Sequence, residues 1–245
     1  MHYFVGTSGW SYDNWVGDFY PPKIPQKDWL KLYAEQFDSV EINNTFYRLP
    51  TPDAVAQWYQ QTPADFTFSV KLSRLITHSK RLKTDESAQQ ALDHFCQSIA
   101  GLKNKLAVVL VQLPANFTAN TPQLARFIPA FKTTLAGHKL HARIAIEFRH
   151  ASWFTSATFE LLRTHNVANA WISGAGMPTN FEATADFAYA RFHGATQLYK
   201  SPYSQKDLQN WATKLAKADI TFAYFNNTTA SYAIANAKSL QQLLH

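Results

Sequence analysis

Residues 143–149 read RIAIEFR, an apolar stretch of strand-forming residues that finishes on charged side chains. Similar segments recur about eight times, and most begin apolar and end on Ser, Asn, Lys, Gln, Arg or His. They are Tyr3–Ser8, Phe37–Asn43, Phe66–Lys71, Leu106–Gln112, Arg143–Arg149, Val167–Ile172, Phe187–His193 and Ile220–Asn226. In a barrel of parallel strands the carboxyl ends share one face, and that face carries the active site. The sequence therefore predicts an α/β fold, a single (β/α)8 TIM-type barrel, with functional residues at the strand ends.

Helical patterns follow most of these segments, as expected for parallel strands that are joined by helical crossovers. The exception is the stretch 173–186, which contains Gly174, Gly176 and Pro178 and has no helical periodicity. We therefore expect the barrel to be imperfect around the sixth helix. The length of 245 residues suits one barrel, and no linker-like segment divides it, so residues 1–245 are predicted to form a single domain.

The composition excludes several classes of protein. Hydrophobic residues make up 46% of the chain and charged residues 16%, which argues against disorder. The one cysteine, Cys96, excludes an intramolecular disulfide and fits a reducing compartment. The N-terminus lacks a signal-peptide layout and no apolar run is long enough to span a bilayer, so we expect a cytoplasmic protein with no membrane partner. The oligomeric state is left open.

Charged side chains within the strand segments are predicted to point into the barrel. Side chains alternate between the two faces of a strand, and the apolar neighbours should face the helices. The polar residues placed inside or at the mouth are Glu41, Asn43, Ser69, Lys71, Gln112, Glu147, Arg149, Arg191, His193 and Asn226. A buried charge without a partner costs several kcal/mol, so the two glutamates must meet these cations. Three cations against two carboxylates leave a positive surplus that suits a phosphate or carboxylate.

This set of residues permits several kinds of chemistry. We expect Glu41, Glu147 and His193 to be acid–base catalysts, while Lys71, Arg149 and Arg191 clamp an anion. Lys71 as a Schiff-base lysine, and a closed ion-pair network that only holds the interior together, are alternatives. No cofactor and no metal site are predicted, because few ligands converge and the nearby cations would repel a divalent metal; a bound divalent metal is the alternative.

A basic segment and a set of aromatic residues extend the predicted site beyond the barrel mouth. The segment 71–83 reads KLSRLITHSKRLK, and its cations are predicted to contact a nucleic-acid backbone, with an ordinary solvated loop as the alternative. They are Arg74, Lys80, Arg81 and Lys83. Loop residues expected to contact ligand are Trp10, Tyr12, Tyr47, Tyr199, Tyr203 and Asn227. The net charge of +6 is consistent with a phosphorylated or polyanionic partner.

Seven longer motifs occur in order along nearly the whole chain. They are GTSGWSYDNWVGDFYPP, VEINNTFYRLP, FSVKLSRLITH, LVQLPANF, AIEFRHASWF, ARFHG and YFNNTTASYAIANA. Together they resemble the YecE-like family, a domain of unknown function (number 72). The resemblance implies a TIM-type barrel and leaves the activity open, although nucleic-acid binding and a likeness to metal-dependent endonuclease and sugar-isomerase barrels have been suggested for the family.

The sequence therefore predicts a protein that binds a phosphorylated small molecule or a nucleic acid at the carboxyl face of the barrel. Acid–base chemistry of the hydrolase, lyase or isomerase type on that ligand is the accompanying hypothesis, so whether the protein is an enzyme stays open. One alternative is a non-catalytic nucleic-acid-binding module. A second alternative is a sugar-directed isomerase or a glycosidase-like enzyme, in which the two glutamates would act as the catalytic pair.

Overall fold

The computed structural model describes residues 1–245, in which short parallel strands alternate with helices. The strands are β1 His2–Thr7, β2 Ser39–Ile42, β3 Thr67–Lys71, β4 Leu106–Gln112, β5 Arg143–Glu147, β6 Ala168–Asn169, β7 Trp171–Ser173, β8 Phe187–Phe192 and β9 Ile220–Phe225. The helices are α1 Trp29–Ala34, α2 Pro52–Gln60, α3 Glu86–Ile99, α4 Thr121–Gly137, α5 Ser156–Thr164, α6 Gln205–Leu215 and α7 Tyr232–Leu244. No helix in the structure has the length and apolar character needed to cross a membrane.

The strands form two parallel sheets rather than one continuous ladder. One sheet has the order β2-β3-β4-β5-β6, and the other has the order β1-β9-β8-β7. They meet at the bridge between Ser8 and Glu41, and again around Ala170, which separates β6 from β7. The fold is therefore α/β with parallel sheets, and a strictly closed (β/α)8 barrel is not confirmed, because the hydrogen-bond ladders form two separate sheets.

The break in the predicted sixth strand has a local cause. The backbone N–H of Asn169 donates to the hydroxyl of Thr184 at 2.8 Å, and that of Ile172 donates to the hydroxyl of Thr179 at 3.2 Å. Side chains of the following loop thus take N–H groups that would otherwise extend the ladder. That loop contains no helix between β7 and β8, as the sequence predicts for this part of the chain.

The two sheets share one interior, which the side chains of both fill. Val108 and Leu110 of β4 belong to the same buried apolar cluster as Phe222 of β9. Above them, the buried Tyr224 hydroxyl accepts a hydrogen bond from Ser69 at 2.8 Å and bonds to the Ser39 hydroxyl at 2.6 Å. The interior therefore has an apolar layer and, nearer the carboxyl ends of the strands, a layer of hydrogen-bonded hydroxyl groups.

Helix-capping residues determine where several crossovers begin. The Thr51 hydroxyl caps α2, whose first residue is proline, and the Asp85 carboxylate caps α3. Ser204 and Asp207 form a reciprocal capping box at the start of α6. These caps end each preceding loop at a defined residue, so the loops at the carboxyl face are held at both ends.

Candidate functional site

A cavity of about 410 Å³ opens at the carboxyl ends of the strands. Its lining residues are Tyr12, Asn43, Phe46, Tyr47, Lys71, His78, Gln112, Arg149, Arg191, His193, Tyr199 and Asn226. Five of them end a strand or follow one directly: Lys71 closes β3, Gln112 closes β4, and Asn43, His193 and Asn226 follow β2, β8 and β9. We call this space the mouth cavity. The structure thus brings together, in one place, most of the residues that the strand pattern predicts to be functional.

Arg191 is the centre of a buried ion-pair network at the base of the mouth cavity. Its Nε donates to Glu41 Oε2 at 2.9 Å, and its Nη2 donates to Glu41 Oε1 at 2.8 Å. Its Nη1 donates to Glu147 Oε2 at 2.6 Å. The Ser8 and Tyr189 hydroxyls also donate to Glu41, at 2.7 and 2.6 Å. A single guanidinium on β8 therefore joins a carboxylate of β2 to a carboxylate of β5.

Neither glutamate is a free base in this arrangement. Burial alone would raise the pKa of Glu41, but the charge and hydrogen bonds of Arg191 hold it below its usual range. Burial would also raise the pKa of Glu147, but the charges of Arg149 and Arg191 outweigh this effect, so the pKa of Glu147 is lowered. Both carboxylates are completely buried and remain ionised. Their geometry favours holding the arginines over moving protons.

Arg149 connects this network to the open part of the cavity. Its Nε donates to Glu147 Oε1, while its Nη1 contacts the Met177 sulfur at 3.2 Å and its Nη2 lies 3.3 Å from His193 Nε2. A thioether and a neutral imidazole are weak acceptors compared with a carboxylate. Arg149 therefore retains strong donor capacity on the side that faces the cavity.

His193 is held as a neutral imidazole. Its Nε2 faces Arg149 Nη2 at 3.3 Å and Arg191 Nη1 at 3.4 Å, so this nitrogen must act as the acceptor. Nδ1 lies 3.2 Å from Asn226 Nδ2, an amide nitrogen that also donates, so both ring nitrogens face hydrogen-bond donors and the doubly protonated ring is disfavoured. Burial, followed by the charge of Arg191, places the pKa of His193 well below 6.5. Both ring nitrogens are occupied, so the geometry favours a positioning role over proton transfer.

Lys71 differs from the two arginines because its ammonium has no hydrogen-bond or ion-pair partner within the protein. Its Nζ lies 4.1 Å from the centre of the Phe46 ring, which is its close favourable contact. Burial lowers the pKa of Lys71 to about 8, and the charge of Arg191 acts in the same direction. The two glutamates raise it less than these effects lower it. Lys71 is thus the uncompensated cation of the site.

The loop after β3 contributes a second histidine to the cavity. Leu75–Ser79 forms a π-helical turn, a feature that often occurs at functional sites, and it directs His78 against Phe46 with ring centres 4.9 Å apart. Burial lowers the pKa of His78 to about 4, and Lys71 adds to this effect. His78 is therefore a neutral group beside the lysine.

Three of the predicted ligand contacts lie outside the mouth cavity. Tyr203 is buried, and its hydroxyl donates to the Ser173 carbonyl and accepts from the Gly194 N–H. Asn227 is also buried and donates to Ser201 and Asn236. Trp10 lines a separate cavity of about 160 Å³ beside the mouth. Their predicted contact with a ligand at the mouth is not supported by these positions, because the strand pattern gives no direction for side chains in the loops.

The four cations of the basic segment, Arg74, Lys80, Arg81 and Lys83, do not line the mouth cavity. Arg74, Arg81 and Lys83 are exposed, while Lys80 is half-buried and donates to the Ser87 hydroxyl at 2.6 Å. Tyr47, Tyr199 and Leu75 have exposed fractions of 76%, 43% and 47%, which make an apolar rim on the loops after β2, β8 and β3. We call the two tyrosines, Tyr47 and Tyr199, the aromatic rim.

The sequence analysis missed Tyr189 and Met177. Tyr189 lies two residues before Arg191 on β8, so the same alternation that places Arg191 in the interior could have identified it. Met177 lies in the irregular loop after β7, for which the strand pattern carries no signal. The structure contains no group of three or more His, Cys, Asp or Glu side chains arranged to hold a metal ion.

Similarity to known proteins identifies the family. The profile of the family described as "Protein of unknown function DUF72" matches residues 4–245. The chain belongs to the DUF72 family. It is 27% identical to the UPF0759 protein YunF of Bacillus subtilis, over 98% of this chain and 94% of that protein. It is 28% identical to the UPF0759 protein YecE of Escherichia coli over 64% of this chain and 52% of YecE.

Solved structures of the family share the architecture. The crystal structure of a DUF72 family protein from Thermotoga maritima has a TM-score of 0.86 and 27% sequence identity, with 100% of this chain and 99% of that chain covered. A xylose isomerase-like TIM barrel fused to a 4-hydroxyphenylpyruvate dioxygenase has a TM-score of 0.53 and 15% identity, over 89% of this chain and 40% of that chain. This last likeness shows the fold alone, which is TIM-barrel-like.

Proposed function

We propose that this DUF72 protein binds a small phosphorylated or similarly anionic molecule in the mouth cavity and acts on it by acid–base chemistry. The observation that carries the proposal is the uncompensated charge of Lys71. Glu41 and Glu147 are both taken up by arginines, and Lys71 has no acceptor of its own. A bound anion would supply the missing partner.

The charge count at the site supports an anion rather than a cation. Arg149, Arg191 and Lys71 bring three positive charges against the two of the glutamates, and His193 is neutral. Arg149 keeps guanidinium donors that face only a thioether and an imidazole. Charge-assisted bonds from a guanidinium and an ammonium are the usual means of holding a phosphate or carboxylate.

The groups available for proton transfer differ from those that the sequence favours. Glu41 and Glu147 hold Arg191 and are buried beneath the cavity, so we assign them a positioning role. Lys71, whose pKa is about 8, and the neutral His78 are the titratable groups that line the cavity without being fully engaged. They are our candidates for the acid–base pair.

Nucleic-acid binding is a second candidate, and a specific observation favours it. The aromatic rim exposes Tyr47 and Tyr199 beside the cavity, and Arg74 and Lys83 are exposed on the adjoining loop. Stacking of an unpaired base on an aromatic ring is worth about 1–3 kcal/mol. The glycosidase alternative gains no such support, because both glutamates are bound to Arg191.

Calorimetric titration with inorganic phosphate, phosphorylated sugars and nucleoside monophosphates tests the main proposal. Loss of one charge-assisted contact is worth about 1.5–3 kcal/mol, so Lys71→Met should weaken binding of a small anion about 10- to 100-fold. The matched control is the triple variant Lys80→Ala, Arg81→Ala, Lys83→Ala, which leaves the cavity intact and should bind small anions normally. Absence of binding by the wild-type protein would refute the proposal.

The same variants separate the nucleic-acid candidate. Fluorescence anisotropy with single-stranded and duplex oligonucleotides, measured across a salt series, reports contacts to the phosphate backbone. Binding that falls steeply with salt and is lost in the triple variant would favour nucleic acid. Binding that depends on Lys71 and changes little in the triple variant would favour a small ligand.

A further inference from the structure

We propose that Lys71 is an imine-forming lysine, whose Nζ condenses with the carbonyl carbon of a small anionic aldehyde or ketone held through its phosphate or carboxylate by Arg149. This inference rests on the proposed function and narrows its substrate class to carbonyl compounds. The chain pattern places Lys71 at the end of β3, and the tertiary structure leaves its amine exposed to the mouth cavity.

The buried lysine Lys105 shows how a structural lysine is satisfied in this chain. Lys105 Nζ donates to the carbonyl oxygens of Tyr59 at 2.6 Å and Thr62 at 2.8 Å, and to the Thr62 hydroxyl at 3.0 Å. These three acceptors use all the donors of an ammonium group. Lys71, which is half-buried, has none of them. The structure therefore does not use the charge of Lys71 to hold the fold together.

The neighbours of Lys71 favour the neutral amine. Arg149 and Arg191 line the same cavity as Lys71, His78 is uncharged, and no carboxylate is among the lining residues. Burial together with these charges brings the pKa of Lys71 to about 8. At pH 7 the neutral fraction is then about one in ten, which is roughly 300-fold more than for a lysine at the ordinary pKa near 10.5.

The cavity can also hold the rest of the substrate. Its volume of about 410 Å³ lies within the usual range for small-molecule sites. Arg149 presents donors for the anionic group, and the Phe46 ring lies 4.1 Å from Nζ, where it would stabilise a positively charged nitrogen. An imine that keeps its proton places a positive charge where the ammonium was. The bound anion therefore stabilises the product of condensation as well as the free lysine.

The reaction balances without any oxidant or reductant. The neutral amine attacks the carbonyl carbon, a C–N bond forms, and the carbonyl oxygen takes up a proton to give a carbinolamine. Loss of that oxygen as water breaks the C–O bond and leaves a protonated imine on Lys71. Overall, an ammonium and a carbonyl compound give a protonated imine and water. We assign the proton transfers to His78, a neutral imidazole that lines the same cavity.

Borohydride trapping tests this inference on the full-length wild-type protein. Dihydroxyacetone phosphate and pyruvate are the anionic probes, and uncharged dihydroxyacetone is the control. Borohydride adds hydride to the imine carbon and leaves a stable secondary amine, which peptide mapping by mass spectrometry assigns to a residue. With an anionic probe, we expect the yield of the Lys71 adduct to be at least about tenfold higher than the yield at exposed lysines. This margin is well below the roughly 300-fold difference in the fraction of neutral amine.

Two further arms keep the outcomes separate. Lys71→Arg preserves the positive charge, so it should bind the anion and give no adduct, and excess inorganic phosphate should suppress the adduct in the wild-type protein. Anion binding without any Lys71 adduct would overturn the imine inference and leave the proposed function standing. Absence of both would overturn both. Equal labelling of exposed lysines, or labelling that persists after heat denaturation, would also overturn the inference.

Discussion

Replacing Arg191 with methionine would leave two buried carboxylates without their shared partner. In the wild-type protein Arg191 donates bonds of 2.6, 2.8 and 2.9 Å to Glu147 and Glu41, and all three side chains are buried. Removing one partner of a buried ion pair costs about 3–5 kcal/mol. Glu41 keeps the hydroxyls of Ser8 and Tyr189, so we expect a loss within this range rather than above it.

The sign of the pH dependence gives the sharper test. In the wild-type protein the pKa of Glu41 is lowered, so its contribution to stability is complete above about pH 4.5 and is lost below it. Without Arg191, burial dominates and the pKa of Glu41 rises above its ordinary value. The folded variant then binds a proton that the unfolded chain does not, so its stability should rise as the pH falls from 7 towards 5.

Denaturant unfolding followed by tryptophan fluorescence at pH 7 and pH 5 measures both effects. Arg163→Met is the matched control, because Arg163 forms exposed ion pairs with Glu160 and Glu182 that are worth about 1 kcal/mol at most. Adding Glu41→Gln to Arg191→Met should restore part of the lost stability, since it removes the unpaired charge. A loss below about 1 kcal/mol with an unchanged pH dependence would refute the network as an energetic unit.

Three further predictions concern the residues around this network. Burial and Arg191 hold the pKa of His193 well below 6.5, so the free energy of unfolding should fall by up to about 1.4 kcal/mol per pH unit as the pH falls below 6.5. Urea titrations of His193→Gln should show a smaller dependence on pH. Tyr203→Phe removes hydrogen bonds to Ser173 and Gly194 and should lower the free energy of unfolding by about 1–3 kcal/mol, with anion affinity unchanged in calorimetry. Gly194→Ala should lower the melting temperature more than Gly137→Ala, because a Cβ would lie 2.3 Å from the Gln197 carbonyl at a φ of +109°; equal melting temperatures would contradict this.

Strand alternation was sufficient to find most of the mouth cavity. Lys71, Arg149, Arg191 and His193 were all predicted to face inward from their apolar neighbours, and all four line the cavity. The reason is geometric, because a period of two in a buried strand allows only two directions for a side chain. The sixth segment was the exception, since hydroxyls of the following loop interrupt its ladder.

The directions of the loop side chains could not be predicted from strand alternation. Tyr203 and Asn227 carry the aromatic and amide groups that often bind ligands, yet both are used to fasten loops beneath the surface. Trp10 faces a neighbouring cavity. A loop side chain has no fixed period, so its direction depends on contacts with residues that are distant in the sequence.

The amino-acid pattern alone is enough to show that parallel strands alternate with helices, that their carboxyl ends are polar, and that cations outnumber carboxylates there. These are properties of local pattern and of simple counting. Which charges pair depends on the three-dimensional fold, because Arg191 on β8 reaches Glu41 on β2 and Glu147 on β5 across the shared interior. That choice leaves Lys71 without a partner. A direct ion pair needs opposite charges within hydrogen-bonding distance of each other, so three-dimensional placement, rather than composition, determines which charged group is left without a partner.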